Sequence, residues 1–125
     1  SYSLEWDTDP GVQEWACRSL LSLCFNAQNQ VKIPNLGGIQ AILTAMKDHP
    51  TIAEVQKQAC WALKNLSVNP ENKVKISNLG GIEALLKAMG DHPKSAGVQQ
   101  QACRALCNLG NNDDNECSQY VRREE

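Results

Sequence analysis

Residues 55–89 read VQKQACWALKNLSVNPENKVKISNLGGIEALLKAM. In the first half, Val55, Ala59, Ala62, Leu63 and Leu66 fall at i, i+4, i+7, i+8 and i+11, which is one face of a 3.6-residue helix. This spacing predicts a helix over about 53–67. Asn69-Pro70 ends it, because the residue before proline is pushed out of the helical region. Pro70 suits a first helical turn, and Val74 and Ile76 form a short apolar patch, so a helix of about two turns follows. Gly80-Gly81 is a sharp bend without Cβ atoms, suited to helices that cross closely. Ile82, Leu85, Leu86 and Met89 then trace a third helical face, and Asp91-His92-Pro93 closes it.

The same phrase recurs on both sides. Residues 12–50 and 55–93 are identical at 23 of 39 positions without a gap. VQEWACRSLLSL (12–23), VQKQACWALKNL (55–66) and VQQQACRALCNL (98–109) are three copies of the first helix at a period of 43. That period excludes units of about 34 or 33 residues, the tetratricopeptide and ankyrin lengths, and falls in the HEAT and armadillo range. The third copy matches the second at 11 of 20 positions through Cys117 and then loses the pattern. The chain therefore reads as one domain over 1–125, with a first repeat at about 10–50, a second at about 53–93 and a partial third at about 96–125. Long helices are expected near 11–25, 53–67 and 96–109.

A three-helix unit with a short helix, a glycine bend and a long helix resembles the armadillo repeat, and residues 55–89 are very close to that family's usual phrase. The resemblance covers roughly residues 10–112. Glu83 stands where the family often has proline. HEAT repeats are the nearest rival, with two helices and no such glycine bend. The resemblance implies an all-α, right-handed α-solenoid of about two and a half armadillo-type repeats. It also implies a non-enzymatic scaffold that binds a partner segment in a concave groove lined by the long helices.

On those helices the polar stripe lies opposite the apolar face. It carries Gln58, Trp61 and Asn65, aligned with Trp15, Arg18 and Ser22 in the first copy and with Gln101, Arg104 and Asn108 in the third. An amide offers both donor and acceptor, and an indole attracts alkyl stems and cations. In nuclear-import adaptors of the family such Trp-Asn pairs grip basic peptides. Here the pair occurs once, and Arg18 and Arg104 at the Trp61 position would repel a basic peptide. The stripe suits an acidic or amphipathic segment instead, as in the catenin branch. The bland alternative is a solvated face whose Trp and Arg stems lie against neighbours.

The remaining chemistry is sparse. Twelve basic and fourteen acidic residues give a net charge of -2, with no electrostatic footprint for nucleic acid or an anionic membrane. No apolar run approaches the roughly 18–20 residues that span a bilayer. His49 and His92 both sit in Asp-His-Pro at a helix end, a turn device beside the C-terminal dipole rather than a metal site. No nucleophile elbow or phosphate loop is present, so neither catalysis nor a cofactor is expected.

Cys17, Cys60 and Cys103 recur inside the same apolar phrase and are expected as buried, reduced thiols. The first residues lack a basic and apolar leader and begin on Ser1, which reads as a processed or excised chain. With the resemblance, that points to a cytoplasmic or nuclear protein, with placement inside a larger assembly as a further setting. Leu4 and Trp6 read either as a cap on the first helix or as an interface, and NNDDNECSQYVRREE (111–125) as a polar closing half-repeat. Two other functions compete with groove binding: a structural subunit held by end-to-end contacts with other repeats or subunits, and a regulatory segment of a longer chain.

Overall fold

Local signals set the helix boundaries. A computed structural model describes residues 10–111, and these carry seven helices and no strand. They are α1 (Pro10–Leu23), α2 (Ala27–Asn35), α3 (Gly38–Asp48), α4 (Ala53–Leu66), α5 (Pro70–Asn78), α6 (Gly81–Asp91) and α7 (Ala96–Gly110). The three long helices match the expected spans to within a turn. α1 stops at Leu23, short of residue 25, because Asn26 is recruited to cap the next helix. The Leu4 and Trp6 reading, and that of the segment after Asn111, lie outside the described residues.

Each short helix opens on an asparagine. Asn26 Oδ1 accepts from the Gln28 N–H at 2.8 Å, and Asn69 Oδ1 accepts from Glu71 and Asn72 N–H at 2.9 and 3.3 Å. These bonds satisfy donors that the first helical turn leaves without partners. The glycine pairs then divide their labour. Gly37 and Gly80 cap α3 and α6 at φ 85° and 92°, a region glycine enters without steric cost. A Cβ on Gly38 or Gly81 would run into the Cγ2 of Ile33 or Ile76 and stand 2.8 Å from that residue's carbonyl oxygen. The second glycine is thus needed for space, not for torsion.

The units stack as an α-solenoid, with α4 packed between α1 and α7. Val55, Ala59, Cys60, Ala62, Leu63 and Leu66 on α4 are all fully buried. Of the short-helix patch only Ile76 is buried, while Val74 faces solvent. Side chains repeated in the sequence make repeated bonds. Gln56 Nε2 donates to the carbonyls of Met46 and His49 at 3.0 and 2.9 Å, and Gln99 does the same to Met89 and His92 at 2.8 and 3.0 Å. In the second and third copies the Gln of the Val-Gln phrase thereby closes the C-terminus of the helix before it. Between repeats, Asn72 Nδ2 donates to Gln30 O at 2.7 Å, and His92 Nε2–H donates to Pro50 O at 2.7 Å. His49 and His92 are C-cap residues, as the turn reading expected, and His92 also acts as a clamp.

Cys17 and Cys60 are buried, but Cys103 is exposed. That corrects the expectation for the third copy. Cys17 lies where α4 packs on α1 and Cys60 where α7 packs on α4; among the described residues no later helix covers α7. Cys107, for which no separate expectation stood, is disulfide-bonded. Burial pushes the Cys17 and Cys24 thiols up to about 11 and Cys60 up to about 12. A thiol titration of native protein at neutral pH should therefore show Cys103 reacting fast and these three only on unfolding. Because the folded pKa values lie above the unfolded 9.0, stability should be full below pH 9 and fall as pH rises toward 12. Equal labelling rates for Cys60 and Cys103 would contradict the packing.

Candidate functional site

The stacking of α1, α4 and α7 sets the three copies of the polar stripe side by side. Gln58 and Gln101 are buried, Trp61, Asn65, Arg104 and Asn108 are half-buried, and Trp15, Arg18 and Ser22 are exposed. The stripe is thus a lined surface on the second and third long helices and a solvated one on the first.

Trp61 is its centre. Phe25, from the turn after α1, meets it edge-on with ring centroids 6.2 Å apart at 85°. Lys64 Nζ lies 5.7 Å from the Trp61 ring centroid. Sequence reasoning missed both neighbours. The available signal was the aromatic Phe25 where the next copy has Val68, and a lysine one turn from the tryptophan. Burial, and secondarily the positive charge of Arg104, lowers the Lys64 pKa. Two cations from adjacent repeats are therefore close enough to feel each other beside an aromatic wall.

The two asparagines differ in what they do. Asn108 Nδ2 donates back across the repeat boundary to Lys64 O at 3.2 Å and Ser67 Oγ at 3.1 Å. One repeat earlier, Cys24 replaces Ser67, so Asn65 meets a thiol position instead of a hydroxyl. Asn65 Nδ2 is buried without a hydrogen-bond partner. So are Trp61 Nε1, Gln58 Oε1 and Gln101 Oε1. Four of the five such side-chain atoms among the described residues lie on the stripe, the fifth being His49 Nε2. Each left unmade costs about 1–3 kcal/mol, so their concentration on one surface is a feature of that surface.

Trp15 stands apart from this cluster. It is 66% exposed, with the Arg18 guanidinium 5.3 Å from its ring centroid and Glu14 in turn 3.7 Å from Arg18.

The model of the armadillo/β-catenin-like repeat matches residues 26–68 and 69–110. The chain belongs to the armadillo repeat family. Both matches begin at the short-helix cap, and they end two residues past α4 and at the last residue of α7, so α1 precedes the first matched repeat. Searches of the curated proteins and of the solved structures returned no significant match. Armadillo repeats are generally protein-interaction scaffolds and typically non-catalytic. Among the described residues, no group of three or more His, Cys, Asp or Glu side chains could hold a metal ion. Nor is any described helix long and apolar enough to cross a membrane.

Proposed function

We propose that this armadillo chain binds an extended, acidic partner segment along the stripe formed by α4 and α7. The observation that carries the reading is the half-buried Trp61 with Phe25, Lys64 and Arg104 around it. The amide of the half-buried Asn65 on the same stripe can donate to and accept from an extended backbone, which carries a carbonyl and an N–H at every residue. Trp61, flanked by Phe25, supplies the apolar anchor, and aromatic residues in partly enclosed settings dominate interface energetics. Lys64 and Arg104 favour carboxylate or phosphate on the partner, since an anion between them offsets their mutual repulsion. Arg18, paired with Glu14, adds an ion pair rather than net charge on the first repeat, while Asn108 positions α7 against α4.

The test is selection from a displayed library of random linear peptides, with affinities then measured on individual winners. Enriched peptides are expected to carry Asp or Glu beside an apolar residue. Trp61→Ala should weaken their binding about 30-fold, the equivalent of roughly 2 kcal/mol, with helicity unchanged. Arg104→Glu should slow association and flatten its salt dependence. No enrichment by the folded native protein, or winners indifferent to both substitutions, would overturn the proposal.

A further inference from the structure

The long helices stack closely, but the outer helices α3 and α6, which hold equivalent places in consecutive units, meet far less. Between them lies a trough of about 440 Å³, within the range of about 300–1,000 Å³ typical of small-ligand sites. Helical spacing builds its walls. Gln40, Leu43, Thr44 and Lys47 fall at i, i+3, i+4 and i+7 along α3. Gly80, Glu83, Ala84 and Lys87 repeat that spacing from the cap of α6 onward. Gly80 and Ala84 bring almost no side chain to the α6 wall, which leaves the space between the helices open. Every lining residue lies between 40 and 91, inside the described repeats.

The trough is apolar along its length and charged at its ends. Leu43, Met46, Pro50, Leu79 and Ala84 supply the apolar lining. Lys87 and Asp91 neutralise one another at 2.6 Å. That leaves Glu83 and Lys47, whose side chains have no ion pair or hydrogen bond among the described residues. Glu83 lies in the first turn of α6 and Lys47 in the last turn of α3. Lys47 is the counterpart of Gly90, seven residues beyond Glu83, which corresponds to about 10 Å of helical rise. At the Lys47 end the amide of Gln56 is held by the carbonyls of Met46 and His49 through Nε2 alone. Gln56 is 3% exposed and lines the trough, and its Oε1 accepts from nothing among the described residues. A nearly buried acceptor therefore stands near an unpaired cation.

We propose that this trough binds a short, free, apolar peptide as a zwitterion, with its ammonium on Glu83, its carboxylate on Lys47 and its last amide N–H on Gln56 Oε1. Three extended residues reach about 10 Å, the separation of the two charges along the helices. Both ends then form charge-assisted bonds. The interior of a longer chain carries no charge at either end and matches the apolar lining alone. The site lies on α3 and α6, whereas the partner groove lies on the long helices.

Titration of the full chain at neutral pH with the peptide Leu-Ala-Leu, followed by calorimetry and amide NMR, tests this. Saturable binding on the order of 0.1 mM is expected, with shifts concentrated in residues 40–47 and 79–91. Capping the peptide separates its two ends. N-acetylation should weaken binding about threefold for the native chain and not at all for Glu83→Gln. C-terminal amidation should do the same for the native chain against Lys47→Gln. Both positions are exposed, so circular dichroism should be unchanged. Ala84→Phe fills the trough and should abolish binding, and Thr44→Phe repeats that arm from the other wall. ω-Aminooctanoate spaces the same charges without an amide and should bind more weakly than the peptide, since it offers Gln56 no donor. Absence of saturable binding overturns the proposal, as does binding that survives both phenylalanine variants. Capping that costs the glutamine variants as much as the native chain marks a merely apolar groove and overturns it too. Equal binding of ω-aminooctanoate overturns the assignment to a peptide. Trp61→Ala should leave this binding unchanged, so the trough and the groove fail separately.

Discussion

Leu63→Ala should lower the free energy of unfolding by about 2–5 kcal/mol, among the largest losses available to a single truncation in this chain. Leu63 is fully buried on α4, the long helix held between α1 and α7. Truncation removes the transfer energy of the side chain and leaves a cavity. Helices packed on both sides of α4 limit how far the site can collapse, which places the cost toward the upper part of that range. The same ladder position recurs as Leu20 and Leu106, each only partly buried. Leu20→Ala and Leu106→Ala should therefore cost about half as much, since less area leaves water there on folding. Gln100→Ala, at an exposed position of α7, should stay within about 0.5 kcal/mol. Thermal or urea unfolding of the four variants checks the order. Equal shifts for Leu20, Leu63 and Leu106 would mean that the repeats do not cover one another as described.

That ordering also separates what the sequence carries from what it does not. Helix spans and the glycine bends are written within a few residues of where they act, so periodicity and the Asn-Pro, Gly-Gly and His-Pro dipeptides place them, whereas the Asn26 cap, with no proline after it, went unread and the first long helix was drawn two residues too long. The face on which Leu63 and Leu66 lie was legible for the same reason. Burial along the stack was not. Cys103 and Cys60 sit in near-identical phrases, yet one is exposed and the other buried, because burial depends on a helix 43 residues away. The stripe was legible as a set of positions, but its division of labour was not. Asn108 is held by Ser67 and Asn65 is left unpartnered, and the cause is a single difference in another helix, Cys24 against Ser67. Phe25 escaped because its partner, Trp61, is reached only after α1 and α4 pack.

The glycine bend makes the sharpest contrast between neighbouring positions. Gly81→Ala is expected to cost about 3 kcal/mol, because the added methyl meets Ile76 and its carbonyl oxygen at 2.8 Å. Side chains can rotate away from such a contact, but a backbone oxygen in α5 cannot. Relief would require α5 and α6 to separate, which uncovers Ile76, a fully buried residue. At Gly80 the space is open, with the nearest atom, Glu83 Oε2, 3.8 Å away, and the obstacle is torsional instead. Its φ of 92° lies in the left-handed region, so Gly80→Ala should cost about 1–2 kcal/mol. Gly90→Ala completes the series with the opposite sign. A methyl there meets nothing within 4 Å, and the position is helical and exposed. Alanine should stabilise by about 0.5–1 kcal/mol, since glycine loses more backbone freedom on folding. Chemical denaturation of the three variants distinguishes the mechanisms. Gly81→Ala should lie furthest below the parent and Gly90→Ala above it. A tolerated Gly81→Ala would show that α5 and α6 do not cross at the separation described, and the tight bend at the start of each unit would lose its physical basis.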